Sequence, residues 1–520
     1  MAYKAILARP GAPPGYRRTF PTLSPARSRW YSVKVAEYHV ETFGCRANQA
    51  DGHALEAGLR MQGMVAARTA AQADLVVLNT CSVTAEAERT ARAYLRKVRR
   101  SNPRARIVAT GCYAQRAPEE VRMLPGVDLV VGNSHKSLLA GLSVPAADFV
   151  PLHSLLSEGS ATAEISFQSP RPGTAVYADE AFPHAPLSIP EEAWREGGRG
   201  AEAAPASVPA VTRPSLKVQD GCGNRCAFCI IPFTRGPSRS LPLEDCLRRI
   251  ESFAVAGGVE LVLSGINLGR WGRDLNPPRQ LEDLIEAVLA RTSLPRLRLS
   301  SIEPMDWTPR LLDLFGEHAS GAAPRIARHA HLPLQSGSDS ILRAMHRRYR
   351  PWHYAEKLRI LHANVPDSAI GGDVMIGFPG ETEKLFEESL AFIEAQPFTY
   401  LHLFRFSPRP GSPAERLAAR PSAAAVDLRM ERLRRLILKK NREFRERFLS
   451  RELPAVTLHT PAGEKGSTRA LSDNFLPLRL DSSLTSNREV RVVVRGMTGE
   501  GLTARVISRS ISRSISRSGR

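Results

Sequence analysis

Short apolar runs alternate with amphipathic stretches along most of this chain, and the alternation changes character twice. From about 36 to 150, Leu75–Leu78, Ile107–Thr110 and Leu129–Val131 are apolar runs that each precede a turn and a helical stretch. The segment Thr84–Arg100 reads as a helix with acids first and bases last, which suits the helix dipole. Strands alternating with helices predict an α/β fold: a parallel sheet with helices on its faces, here a Rossmann-like domain over 36–150. From 211 to 450 the alternation resumes, with candidate strands Leu216–Gln219, Leu261–Ser264, Arg296–Ser300, His329–Leu332, Asp373–Ile376 and Leu401–Phe404. Six such strands predict a partial (β/α)6 barrel whose ligands sit at the C-terminal strand ends. A helix over Ala424–Ser450 closes it, with Leu433, Ile437, Phe444 and Phe448 near one face.

Between these regions, residues 151–210 are rich in Pro, Ala, Ser, Gly and Glu without periodicity and read as a linker or insertion. Residues 451–508 change class: Val456–Leu458, Leu476–Leu480 and Val490–Val494 are separated by Gly, Ser and Asn turns, which predicts a small β-barrel. The repeats of Ile-Ser-Arg-Ser over 509–520 form a basic low-complexity tail. Residues 1–35 hold seven Lys/Arg and no acid and read as a disordered basic arm; a start codon placed too far upstream and an organelle transit peptide are the alternatives.

Charge narrows the choice of partner. Lys plus Arg number 72 against 52 Asp plus Glu, a net +20, which favours a polyanion because each neutralised phosphate releases counterions. Solvated charged faces are the bland alternative. No run of 18 apolar residues and no apolar N-terminal signal core appear, so a cytoplasmic protein without a membrane is expected.

The seven cysteines carry the chemistry. An odd count in a long chain without a secretion signal argues against a disulfide framework. Cys222, Cys226 and Cys229 form a C-x3-C-x2-C run after a predicted strand. Three thiolates on one loop can hold three irons of a cubane, leaving the fourth iron open to chelate S-adenosylmethionine (SAM) and split it. A zinc site would want a fourth nearby ligand, and only Cys246, inside a predicted helix, offers one. Cys45, Cys81 and Cys112 each follow a predicted strand, with Gly or Thr beside them. Neighbouring parallel strands end at one edge, so these thiols can meet and bind a second cluster; three structural core cysteines are the alternative. Cys246 reads as core.

These motifs resemble the methylthiotransferases of the radical SAM superfamily, from about residue 38 to 507. The stretch Gln219-Asp-Gly-Cys222 through Cys229-Ile-Ile-Pro-Phe-Thr-Arg-Gly-Pro-Ser-Arg-Ser240 resembles the MtaB type, as do Gly265-Ile-Asn-Leu-Gly-Arg-Trp-Gly-Arg-Asp-Leu275, Leu299-Ser-Ser-Ile-Glu-Pro304 and His331-Leu-Pro-Leu-Gln-Ser-Gly-Ser338. Gly372-Asp-Val-Met-Ile-Gly-Phe-Pro-Gly-Glu-Thr382 is shared more broadly. Departures are Arg46 where the family has Lys, Phe233 where it has Tyr, the long 151–210 segment and the Arg/Ser tail.

The resemblance implies an N-terminal cluster domain, a radical SAM barrel and an RNA-binding TRAM-like β-barrel. It implies two [4Fe–4S] clusters, an auxiliary one on Cys45, Cys81 and Cys112 and the radical SAM one on Cys222, Cys226 and Cys229. The implied reaction is methylthiolation of carbon 2 of N6-threonylcarbamoyladenosine at position 37 of tRNA, beside the anticodon. SAM serves as methyl donor and radical source, and the partners are the anticodon stem-loop and a low-potential electron donor such as flavodoxin or ferredoxin. For SAM itself, the candidates are Phe228, the Gly257-Gly258-Val-Glu260 segment, Ser300, Glu303, Gln335, Ile376 and Gly377, each of which ordinary loop chemistry also explains. Arg343–Arg350 offers the Arg347/Arg348 pair for phosphate and Tyr349 for base stacking, with a solvated helix end as the alternative. The β-domain is expected to clamp RNA separably from the radical chemistry. Alternatives are a methylthiotransferase for isopentenyl-adenosine or for a ribosomal protein, and a non-enzymatic iron–sulfur RNA-binding protein.

Overall fold

The computed structural model describes residues 35–143, 175–179, 181–182, 186–195, 212–459 and 466–509. All but Val35 of the expected basic arm, and all but Arg509 of the tail, lie outside the described residues. The described residues from Ala36 onward cluster as one compact unit.

The first sheet comprises β1 (Glu37–Thr42), β2 (Val65–Ala66), β3 (Leu75–Thr80), β4 (Arg106–Gly111), β5 (Leu129–Val131) and β6 (Ala175–Tyr177). Its order is β2-β1-β3-β4-β5-β6, all parallel, so the switch point between β1 and β3 is that of the flavodoxin-like doubly wound sheets. Every residue of β3 is buried, as its unbroken apolar run requires for a central strand covered on both faces. Helix α1 (Arg46–Met61) follows β1, and α2 (Ala85–Ser101) follows β3. The Thr84 hydroxyl accepts from the Ala87 amide at the start of α2, with Glu86 and Glu88 in the first turn and Arg99 and Arg100 in the last.

Part of the stretch read as a linker is built into this fold. It supplies β6 and a short helix at Glu192–Arg195. Ile189 and Trp194 are buried in the barrel core, and Trp194 meets Phe253 edge-on at 5.1 Å.

The second layer is the partial barrel of β7 (Ser215–Asp220), β8 (Arg239–Ser240), β9 (Glu260–Gly265), β10 (Arg296–Leu299), β11 (His329–His331), β12 (Ala369–Ile376) and β13 (Tyr400–Arg405). Six strands run parallel in chain order, β7-β9-β10 and β11-β12-β13, with the short β8 antiparallel on β7. The bridge Ser301–His331 spans the gap between β10 and β11. Helix α1 docks on this barrel through small residues, Ala54 and Ala57, which join its apolar core.

The closing helix, Ala423–Glu446, serves two cores. Leu433 packs in the barrel core, whereas Phe444, with Phe448 just beyond the helix, belongs to the core of the C-terminal domain. That domain is a closed five-stranded barrel, β14 (Glu452–Thr457), β15 (Thr468–Ser472), β16 (Pro477–Leu480), β17 (Glu489–Met497) and β18 (Leu502–Arg509), in the order β14-β15-β16-β18-β17. It grips the barrel by Asp473 on Arg328, Glu489 on Arg296 and the Ser472 carbonyl on Arg298.

Candidate active site: two cysteine loops on one cavity

β1, β3 and β4 are neighbours in the sheet, and a cysteine follows each within three residues: Cys45, Cys81 and Cys112. The glycines beside them are steric requirements. At Gly44 (φ +97°) a Cβ would lie 2.5 Å from the Cys81 sulfur, and at Gly111 (φ +98°) one would lie 2.2 Å from the Thr80 carbonyl. Cys81 and Cys112 are buried, while Cys45, at the N-terminus of α1, keeps exposed surface. Burial, then the charges that would form on Cys112 and Cys45, push the Cys81 thiol up to about 12. At neutral pH the free thiol therefore keeps its proton, which a soft metal would displace. The Val83 amide donates to Cys81 Sγ at 3.4 Å, and Asn133 Nδ2 to Cys112 Sγ at 3.5 Å.

The second triad follows β7 directly. At Gly221 (φ +72°) a Cβ would lie 1.9 Å from the Pro237 carbonyl, so only glycine lets the chain turn into Cys222 there. Burial pushes the Cys229 thiol up to about 12. The Asn224 amide (3.4 Å) and Asn267 Nδ2 (3.6 Å) donate to Cys222 Sγ, and Arg347 Nη1 donates to Cys226 Sγ at 3.2 Å. N–H donors aimed at sulfur favour the thiolate and tune a bound cluster. Beside this loop, at the C-terminal ends of β9 and β10, Asn267 Oδ1, Ser300 Oγ and Ser301 Oγ are buried without a protein partner. Buried polar atoms are normally satisfied, so these three suit a polar ligand.

Two cavities adjoin the Cys222 loop. One, about 350 Å³, is lined by Cys226, Asn224, Arg270, Glu303 and Arg347. The other, about 210 Å³, joins both cysteine regions: Val83 and Thr84, just past Cys81, face it together with Phe228, Cys229, Gln335 and Met375. Asp373, Arg405 and Arg409 also reach it, so it offers apolar walls and a charged rim.

Beneath the first triad lies a buried ionic knot. Asp51 accepts from Lys136 (3.0 Å), Arg235 (2.9 Å) and Lys217, and Asp220 accepts from Arg235 (2.9 Å) and Lys217. Burial alone would raise the Asp220 carboxyl, but Arg235 and Lys217 outweigh it and hold it at about 2.

The structure sorts the expected SAM residues. Phe228 and Gln335 line the shared cavity, Glu303 lines the larger one and pairs with Arg347, and Ser300 is the orphan at the end of β10. Ile376 ends β12 and Gly377 follows it, its amide donating to Glu381 at 2.8 Å; they line neither cavity. Gly257, Gly258 and Glu260 need correction as SAM contacts. They stand at the N-terminal end of β9, whereas the Cys222 loop follows the C-terminal end of the parallel β7. There Asn487 of the β-domain donates to the Gly257 carbonyl, the Phe253 ring crowds Gly258, and Glu260 is held by Arg298, Arg213 and Arg296. Base stacking by Tyr349 is likewise excluded: the ring is buried and its hydroxyl proton is shared between the Pro333 and Leu334 carbonyls, each 2.7 Å away. Arg347 is buried as well, whereas Arg343 and Arg348 are exposed. Cys246 lies fully in the barrel core. Sequence reasoning missed Asn133, Arg235 and Asn267 and gave Arg347 to phosphate rather than to Cys226 and Glu303; among the missed three only Asn267 had a local signal, its place just past the β9 apolar run.

Comparison with known proteins agrees with this architecture. Residues 37–132 match the model of Uncharacterized protein family UPF0004, and 216–393 that of the Radical SAM superfamily. Threonylcarbamoyladenosine tRNA methylthiotransferase MtaB of Aquifex aeolicus is 33% identical over 89% of this chain and all of its own length. The tRNA-2-methylthio-N(6)-dimethylallyladenosine synthase of Geobacter metallireducens is 34% identical over 76% of this chain and 82% of its own. Among solved structures, the radical SAM methyltransferase TsrM from Kitasatospora setae aligns over 73% of this chain and 77% of its own, at 16% identity and a TM-score of 0.49. Among the described residues no helix is long and apolar enough to cross a membrane. The chain belongs to the radical SAM tRNA methylthiotransferases, iron–sulfur enzymes that use SAM to modify tRNA.

Proposed function

We propose that the chain methylthiolates carbon 2 of N6-threonylcarbamoyladenosine at position 37 of tRNA, in the anticodon stem-loop, with a low-potential flavodoxin or ferredoxin as electron donor. Cys222, Cys226 and Cys229 hold the radical SAM [4Fe–4S] cluster, and Cys45, Cys81 and Cys112 hold the auxiliary one. The observation that carries the reading is the shared cavity, because Val83–Thr84 and Phe228–Cys229 bring both cysteine regions to one substrate-sized space. When bound, the clusters and SAM supply the radical that opens an unactivated C–H bond and the sulfur and methyl group that replace its hydrogen.

The chain's own residues do the rest. Asn267 and Arg347 fix two cluster-bearing thiols by N–H donors, while Ser300, Ser301 and the Asn267 carbonyl oxygen await a polar ligand such as SAM. Phe228, Ile230, Ile231, Met375 and Phe404 make apolar walls that receive an aromatic base and keep water off the reacting carbon. Arg409 is buried and held by Glu88, which leaves Arg405, itself shared with Asp427, as the cavity cation that can meet the carboxylate of a threonyl group. The full-length alignment with the Aquifex relative also supports the threonylcarbamoyl substrate. Nucleoside analysis of tRNA from a deletion strain tests the reading. Loss of the methylthio form with accumulation of plain N6-threonylcarbamoyladenosine is expected; loss of the methylthio form of isopentenyl-adenosine instead overturns the substrate assignment.

A further inference from the structure

The knot of Asp51, Lys136, Lys217, Asp220 and Arg235 is unbalanced. Three cations meet two carboxylates, all five side chains are at most 8% exposed, and one positive charge is in surplus. An uncompensated buried charge is expensive, so such a surplus calls for a nearby anion. Among the described residues no further acid reaches the knot within ion-pair distance. What does adjoin it is the first cysteine triad. Arg235 donates to Asn48 Oδ1 at 3.2 Å, and the Asn48 amide group donates to the carbonyls of Phe43, Asn79 and Thr80, the backbone that leads into Cys45 and Cys81. Lys136 donates to Asn79 Oδ1 at 3.1 Å. Asn133 donates both to Cys112 Sγ and, at 2.8 Å, to the carbonyl of Thr234, the residue before Arg235.

The knot also straddles two domains. Asp51 and Lys136 come from the N-terminal sheet domain, and Lys217, Asp220 and Arg235 from β7 and the helix after the Cys222 loop. We propose that this knot is the built-in counter-charge of the auxiliary cluster, completed only when the N-terminal domain docks on the barrel, so that barrel residues set the reduction potential of a cluster they do not ligate. The proposal rests on the assignment of that cluster to Cys45, Cys81 and Cys112. A cubane held by three thiolates carries a net negative charge in its oxidised state, which the surplus cation balances. Reduction adds one more electron, and the knot's net charge decides how readily.

The test uses the full-length chain carrying Cys222→Ala/Cys226→Ala/Cys229→Ala, so that only the N-terminal site can load. Reconstituted with iron and sulfide, this parent holds about four irons per chain. Its one-electron reduction by dithionite is followed by EPR. Lys217→Met removes a positive charge and disfavours reduction by at least about tenfold, a downward shift of about 59 mV for a one-electron couple. Asp220→Asn removes a negative charge and shifts the potential upward by a similar amount. Opposite signs from two barrel residues in contact with each other are what loosened packing does not produce. Lys136→Met, on the other side of the interface, follows Lys217→Met and replaces it if that variant does not load iron. Shifts of one sign in all variants, or shifts under about threefold in the equilibrium constant, overturn the proposal. A parent that binds no iron refutes the ligand assignment itself, and the proposal falls with it.

Discussion

Glu260 separates two readings of the same glutamate. The family resemblance makes its segment a candidate for SAM contact, whereas the structure buries it completely at the start of β9 as a clasp for arginines. Its carboxylate accepts from Arg298 at 2.7 and 3.2 Å and lies 3.4 Å from Arg213 and 3.6 Å from Arg296. Arg298 continues to the Ser472 carbonyl and Arg296 to Glu489, so the clasp joins the barrel to the β-domain. Burial pushes the carboxyl up, but the arginines prevail and bring it from 4.5 to about 2. A depression of that size corresponds to about 3 kcal/mol of folding stability. Because the folded value is the lower one, this stability is present above pH 4.5 and is lost as pH falls toward 2. Glu260→Gln deletes the charge at every pH and strands buried guanidinium groups, a cost of about 3–5 kcal/mol. For a unit of this size, with about 2 cal/mol/K of unfolding entropy per residue, that lowers Tm by on the order of 3–5 °C in differential scanning fluorimetry at pH 7. SAM affinity of the loaded enzyme, measured by equilibrium titration, stays within about threefold of wild type, since a group outside the SAM site contributes little to that binding. A variant that melts within about 2 °C of wild type yet binds SAM at least about tenfold more weakly refutes this placement.

Cys81→Ala should still cleave SAM to 5′-deoxyadenosine under reduction but yield no methylthio nucleoside by mass spectrometry; normal product yield removes the auxiliary triad from the reaction. Arg495 and Arg505, exposed on the adjacent strands β17 and β18, are candidates for pairing with RNA phosphates. Arg495→Ala/Arg505→Ala should weaken tRNA binding and flatten its salt dependence by about 0.7–0.9 in log–log slope for each phosphate no longer neutralised, and an unchanged slope clears both residues of that role.

What the sequence made legible was whatever has a short-range cause. The helix read over Thr84–Arg100 forms over Ala85–Ser101 because its cap, its charge order and its apolar spacing all lie within it. The cysteine triads were readable because a glycine or a strand end marks each one, and the structure gives those marks steric reasons at Gly44, Gly111 and Gly221. What escaped depends on partners far away in the chain. Arg347 meets Cys226 across 121 positions and Arg235 meets Asp51 across 184, and no local pattern encodes such pairs. The Gly257-Gly258-Val-Glu260 segment misled for a related reason: similar letters do not specify which end of a strand they occupy. Residues 175–177 and 192–195 are too short to show a period, and Trp194 is held by packing on Phe253 rather than by propensity.

Domain boundaries in the sequence suggest parts that can be removed one at a time, and the packing argues otherwise for the C-terminal barrel. Phe475, at φ +65°, stacks 4.4 Å from the His329 ring and 5.4 Å from Tyr400, residues of β11 and β13. Arg46, the residue after Cys45, lies over the same ring at 5.7 Å, with Arg298 at 5.5 Å on β10. One aromatic side chain thus touches elements of all three domains. Truncation after Ser450 would withdraw Phe475, unpair Arg328 from Asp473 and Arg296 from Glu489, and uncover Phe444 and Phe448. Such a chain loses core as well as RNA-binding surface, so its failure to bind tRNA would not identify a clamp. Exposed arginines can be changed without touching that core, which makes substitution on β17 and β18 the cleaner probe of the domain's role.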